Sequence, residues 1–246
     1  MVHHALRRLR IGDHGRAPCP HDAGFLAADG LAIGTEPLHV VQVDAGDDGA
    51  VGIDQVDRIA HVLTREMGLV PGHRVLLRGG NSPMMAACLL ACFKSGLVAV
   101  PTMPLLRSAE LATIIEKAQV SAALCDQLLA EEMQHCMTPG HVHHTPTLQQ
   151  CVMFRSDATD GLERRMAQHN IPFPACPTSR DDVCLIAFTS GTTGKPKGAI
   201  RNHQGSYLIA LATALEMEFS KADTGLLVMP MCHANSLYFA TTFIHL

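Results

Sequence analysis

Val183-Cys184-Leu185-Ile186-Ala187-Phe188-Thr189-Ser190-Gly191-Thr192-Thr193-Gly194-Lys195-Pro196-Lys197-Gly198 passes from an apolar run directly into a glycine-rich loop. Val183 to Phe188 has the length and composition of a buried strand. The ten residues from Thr189 to Gly198 bring three glycines, four hydroxyls and two lysines together. A polyphosphate needs several backbone N–H donors at close range, which glycines allow because they lack Cβ, and it also needs hydroxyls and cations to offset its charge. This loop supplies all three, and Pro196 stiffens the backbone between Lys195 and Lys197.

Two other phosphate loops fail at named positions. A Walker A loop requires glycine five residues before Gly194 and Ser or Thr after the lysine, where this chain has Thr189 and Pro196. A GxGxxG dinucleotide loop fails because Gly191 is followed by Thr192 and Thr193.

Strands and helices alternate upstream of the loop. Val56, Ile59, Ala60, Leu63 and Met67 recur at helical spacing, and Gly68 with Pro71-Gly72 closes that helix. Arg74 to Leu77 is a short strand. Gly79-Gly80-Asn81-Ser82 is a turn, and Pro83 opens a helix that reaches Lys94 and stops at Gly96. Leu97 to Val100 is the next strand, Ser108 caps a helix to about Ala118, and Val120 to Cys125 is a third strand before a helix near Gln127 to Gln134. Such alternation predicts parallel βαβ units. Residues 135 to 180 hold one strand, Gln150 to Phe154, and one helix, Gly161 to His169, and Pro172 to Asp182 reads as a linker. Beyond the loop we expect a helix from Gly205 to Met217, a strand from Leu226 to Met229 and a helix from Ala234 to Phe243. Residues 1–50 read as an irregular lead-in with a short strand at Leu38 to Val43, and 51–246 as the structured domain.

With 246 residues, 47% of them apolar, the chain can bury a large core. A formal net charge of −4 provides no basic surplus for nucleic acid or an anionic membrane, so neither is expected as a partner. Nine cysteines without CxxC pairs, several inside apolar runs, read as reduced, buried thiols. The N-terminus has no apolar stretch after its first arginines, and the longest apolar run, Met84 to Phe93, is far below the ~20 residues of a membrane span. A cytoplasmic setting is expected. His141, His143 and His144, or Cys19 with His21, lack a recurring metal-ligand spacing and read as loop residues, so no metal site is expected within the protein.

Phe188 to Gly198 resembles the signature of the adenylate-forming superfamily, which includes acyl-CoA synthetases, nonribosomal adenylation domains and luciferases. His203 stands where that family commonly has a histidine. Lys94-Ser95-Gly96-Leu97-Val98-Ala99-Val100-Pro101 resembles the family's KAGxxxVP segment, and Pro230-Met231-Cys232-His233 its later acyl-pocket motif. The resemblance covers about Ile53 to the C-terminus. It implies an α/β fold of stacked mixed and parallel sheets with flanking helices, as in the family's large N-terminal domain, here only partly spanned.

The implied chemistry is attack of a carboxylate on the α-phosphate of ATP, followed by transfer of the acyl group to coenzyme A, with Mg2+ as cofactor. Lys195 and Lys197 are then the expected catalytic cations. Thr189, Ser190, Gly191, Thr192, Thr193, Gly194, Lys195 and Lys197 are the expected ATP-binding residues. His233 would line the substrate pocket, and Asn235 would either orient a substrate polar group or cap the following helix. The segment around Val98 to Ala118 resembles the aryl-acid branch, such as benzoate- and 2-aminobenzoate-CoA ligases. A carrier-protein adenylation domain and a non-catalytic remnant are the alternatives. The family's aromatic-Gly-x-Thr-Glu segment, ribose-binding aspartate and small C-terminal domain have no counterpart in these residues. The chain is therefore expected to be a truncated portion or to be completed by a separately encoded partner, to have little ligase activity alone, and to expose apolar surface.

Overall fold

The computed structural model describes residues 52–189, 196–220 and 223–245, together with four short strands in the first fifty residues. Those strands are β1 (Arg7–Ile11), β2 (Ala32–Ile33), β3 (Glu36–Pro37) and β4 (Val41–Asp44). The strand expected at Leu38 to Val43 overlaps β4, and residues 38–40 lie outside the described set. There follow α1 (Ile53–His61), which continues as a π-helical turn Val62–Glu66, then β5 (Arg74–Arg78), α2 (Pro83–Lys94), β6 (Val98–Thr102), α3 (Ser108–Ala118) and β7 (Ala122–Asp126). A 3-10 turn, Gln127–Leu129, leads into α4 (Ala130–Met137), β8 (Gln150–Phe154) and α5 (Leu162–Met166). The chain closes with β9 (Val183–Thr189), β10 (Lys197–Asn202), α6 (His203–Glu216), β11 (Thr224–Leu227) and α7 (Ala234–His245).

The main sheet has six strands in the order β10-β9-β6-β5-β7-β8, parallel throughout except for β10, which pairs antiparallel with β9. A second sheet, β11-β1-β4, is parallel, and β2 and β3 form a two-stranded ribbon.

The two-residue period of a strand divides the core. Val75 and Leu77 of β5 face one hydrophobic cluster with α1 and α2, while Leu76 faces another with α3 and α4. Ala122 and Leu124 of β7 likewise oppose Ala123 and Cys125. The sheet is thus covered on both faces, as parallel sheets require.

Two local assignments are corrected. The helix expected to be capped by Ser108 starts at Ser108, and Arg107 is the capping position, its backbone N–H donating to Glu110 Oε2 at 3.0 Å. The last two residues of the expected loop, Lys197 and Gly198, belong to a strand, because Lys197 to Asn202 pairs along β9.

The KAGxxxVP-like segment explains itself in packing terms. Lys94 is buried and ion-paired to Asp57 of α1, tying α2 to α1. Gly96 sits at φ +70°, and a Cβ there would lie 2.8 Å from Cys176 Sγ, so only glycine serves at this helix end. Among the described residues no helix is long and apolar enough to cross a membrane. The eight described cysteines are unpaired. Burial pushes the Cys92 thiol up to about 12 and that of Cys136 to about 11, which keeps both protonated.

Candidate active site

The glycine-rich loop leaves the sheet at the carboxyl end of β9, beside the carboxyl ends of β6 and β5, where open α/β sheets bind ligands. Thr189 ends β9 and Lys197 begins β10; the two are register partners and both are exposed. Ser190, Gly191, Thr192, Thr193, Gly194 and Lys195 lie outside the described residues. Lys117 of α3 donates from Nζ to the Pro196 carbonyl at 2.9 Å, fastening the downstream end of the loop. Gly198 is enforced by its partner strand: a Cβ there would lie 2.9 Å from Ile186 Cγ2 and 3.2 Å from the Phe188 ring.

Asn202 caps α6, its side-chain oxygen accepting from the Gly205 backbone N–H at 2.8 Å. His203 is the first residue of that helix. It is buried, lies edge-on to Phe93 with ring centroids 6.4 Å apart, and its backbone N–H donates to the Asp182 carbonyl. Burial lowers its pKa, so its imidazole stays neutral at physiological pH. Its position is therefore that of a packing residue behind the loop.

His233 and Asn235 stand exposed at the start of α7. His233 Nδ1 accepts from the Asn235 backbone N–H at 3.3 Å, so the histidine, not Asn235, occupies the capping position.

What holds this segment was not visible in its own residues. Asn81, in the turn after β5, donates to the carbonyls of Leu227 at 3.2 Å and Met229 at 2.8 Å, and accepts from the Met231 N–H at 2.8 Å. Arg78, buried at the end of β5, donates to the carbonyls of Met103, Pro104, Leu106 and Leu129. This organises the 103–106 loop, and Met103 in turn touches Cys232. The carboxyl end of β5 thus positions the strand-to-helix corner that carries His233.

Loop hydroxyls such as that of Thr189 are hard oxygen donors that suit Mg2+. Among the described residues no group of three His, Cys, Asp or Glu side chains converges on a metal.

Residues 53–246 match the model of the AMP-binding enzyme family. The chain belongs to that family. It is 31% identical over 185 residues to a feruloyl-CoA synthase from Amycolatopsis sp, covering 74% of this chain and 34% of that protein. It is 30% identical over 189 residues to the long-chain-fatty-acid–CoA ligase FadD13 of Mycobacterium tuberculosis, with 74% and 34% covered. The inhibitor-bound N-terminal domain of FACL13 from Mycobacterium tuberculosis superposes with a TM-score of 0.70 at 26% identity, covering 78% of this chain and 46% of that one. The chain spans about a third of the length of these curated relatives.

Proposed function

We propose that this chain carries the triphosphate-handling part of an acid–CoA ligase, which converts a carboxylic acid and ATP to an acyl-adenylate and pyrophosphate and then transfers the acyl group to coenzyme A. The observation that carries the reading is the loop itself, anchored between β9 and β10 at the carboxyl edge of a parallel sheet. Carboxylate and triphosphate repel one another, so the site must offset negative charge. Lys195 and Lys197, the hydroxyls of Thr189, Ser190, Thr192 and Thr193, and the backbone at Gly191 and Gly194 would hold the β- and γ-phosphates as pyrophosphate departs. Mg2+, when bound, adds charge neutralisation there. His233 borders the acyl group, and exposed Asn235 is free to meet a polar group of the acid. An aryl or other organic acid is the proposed substrate class, supported by the likeness to a feruloyl-CoA synthase.

Binding of a fluorescent ATP analogue to the 246-residue chain tests this. Saturable, magnesium-dependent binding is expected, weakened about tenfold or more in Lys195→Ala and less in Lys197→Ala. Binding that both substitutions leave unchanged would sink the assignment of the loop.

A further inference from the structure

His61, the last residue of α1, is completely buried, and the segment between α5 and β9 is folded over it. Its ring stacks on that of His169 with centroids 5.2 Å apart and meets Phe173 edge-on at 5.0 Å. Nε2 lies 3.1 Å from the Ile171 carbonyl. A carbonyl can only accept, so Nε2 carries a hydrogen. Nδ1 is buried and has no hydrogen-bond partner among the described residues.

A proton added at Nδ1 would bring a charge that little there can balance. Asp57, one turn earlier on α1, is already paired with Lys94 of α2. Glu66 is taken by His169 at 2.7 Å and by Arg165 at 3.6 Å, and Glu163 of α5 accepts from the Arg155 backbone N–H at 2.6 Å. The thiols of Cys88 and Cys92 on α2 are kept protonated by burial. Burial is the largest influence on His61 and lowers its pKa; Arg65 and His169 add to it, against the opposing pull of the Ile171 and Pro172 carbonyls.

Local sequence makes this one contact important. The turn Val62–Glu66 closes in π-helical fashion, with the Met67 N–H donating to the Val62 carbonyl at 3.0 Å, and so brings Glu66 round to the side of the helix that His61 occupies. The two residues therefore grip the same stretch of chain. Pro172, Pro174 and Pro177 stiffen that stretch and deprive it of N–H groups. At one end the His169 N–H goes to the Met166 carbonyl, and at the other the Cys176 N–H goes to the Lys94 carbonyl at 2.8 Å. Between them the imidazole of His61 supplies the hydrogen bond that holds the segment down.

We propose that His61 is an acid-released latch: its neutral ring clasps residues 169–176 against α1, and protonation of the ring detaches this proline-stiffened strap and loosens the approach to β9. The latch stands apart from the ligase reading and needs no ligand. Its sign follows from linkage. In the detached state the imidazole has its ordinary pKa of ~6.5, above its value in the closed state. The latch is thus at full strength above about pH 7, and the opening equilibrium rises by at most about tenfold for each pH unit below 6.5.

Amide hydrogen exchange of the 246-residue chain between about pH 7.5 and 5.5, corrected for the intrinsic exchange rate, tests this at the Cys176 amide. Its protection should fall severalfold, up to about tenfold, across that range, while the amides of β5 and β7 in the same samples stay level. His61→Gln, which can still donate to Ile171 but cannot titrate, should make the Cys176 protection independent of pH. Level protection at Cys176 in the wild type, a loss shared by β5 and β7, or a response that persists in His61→Gln overturns the proposal. Should His61→Gln fail to fold, an NMR titration of the His61 ring in the wild type decides. The ring should titrate below 6.5 and in step with the loss of protection, and titration at or above 6.5 overturns the latch.

Discussion

Glu132 shows how one side chain can serve two elements. From α4 it accepts from the Arg107 guanidinium at 2.9 Å and from the Ser108 backbone N–H at 2.7 Å, so it tethers the first turn of α3. The Arg107 hydrogen bond first, then the Ser108 N–H, pull its carboxyl down to about 2. An unfolded Glu titrates near ~4.3, so the folded state holds this proton less tightly. The stabilisation is complete above about pH 5, falls as the pH drops through 4, and is gone near 2. Thermal melts over that range should show Glu132→Gln losing less melting temperature on acidification than the wild type. Parallel curves for the two proteins would remove Glu132 from the acid response. Arg107 is legible in the sequence only as a surface cation, and Glu132 only as one of two adjacent acids on α4. Their joint role depends on a contact across 25 residues.

Elements whose ends are marked locally were readable to the residue. α2 runs from Pro83 to Lys94 as expected, because Ser82 accepts from the Met85 N–H, Pro83 fits the first turn and Gly96 accepts a positive φ. β10 was hidden for the opposite reason. Lys197-Gly198-Ala199-Ile200-Arg201-Asn202 has little strand propensity and becomes one through the ladder that β9 offers. The candidate site divides the same way: the glycines and lysines announce a phosphate loop, whereas Asn81 reads as a plain turn residue and acts on Met231, 150 residues away. Three hydrogen bonds make Asn81 the clamp of the corner before α7. Asn81→Ala should therefore cost about 1.5–3 kcal/mol in urea unfolding and raise amide exchange around Met231. Unchanged exchange there would mean that packing alone fixes the corner.

Across the whole molecule, burial is uneven. The faces of the sheet around β5 and β7 are sealed, while α6 shows Leu208, Leu211 and Leu215 to solvent at 52, 40 and 70% exposure. Apolar residues one turn apart on a helix form a stripe, and such a stripe favours self-association. Sedimentation velocity of the chain should show concentration-dependent oligomers that replacement of these three leucines by glutamate disperses; a monodisperse wild type would contradict this. The sheet also bears on the loop. Thr189 and Lys197 face each other on one rung of the β9–β10 ladder, so both ends of the loop are moored to the same point of the scaffold. Such a mooring uncouples tuning of the loop from survival of the fold. Changes in the sequence between the two ends need not pass strain to the strands behind them, so the proposed phosphate loop is free to vary at little risk to folding.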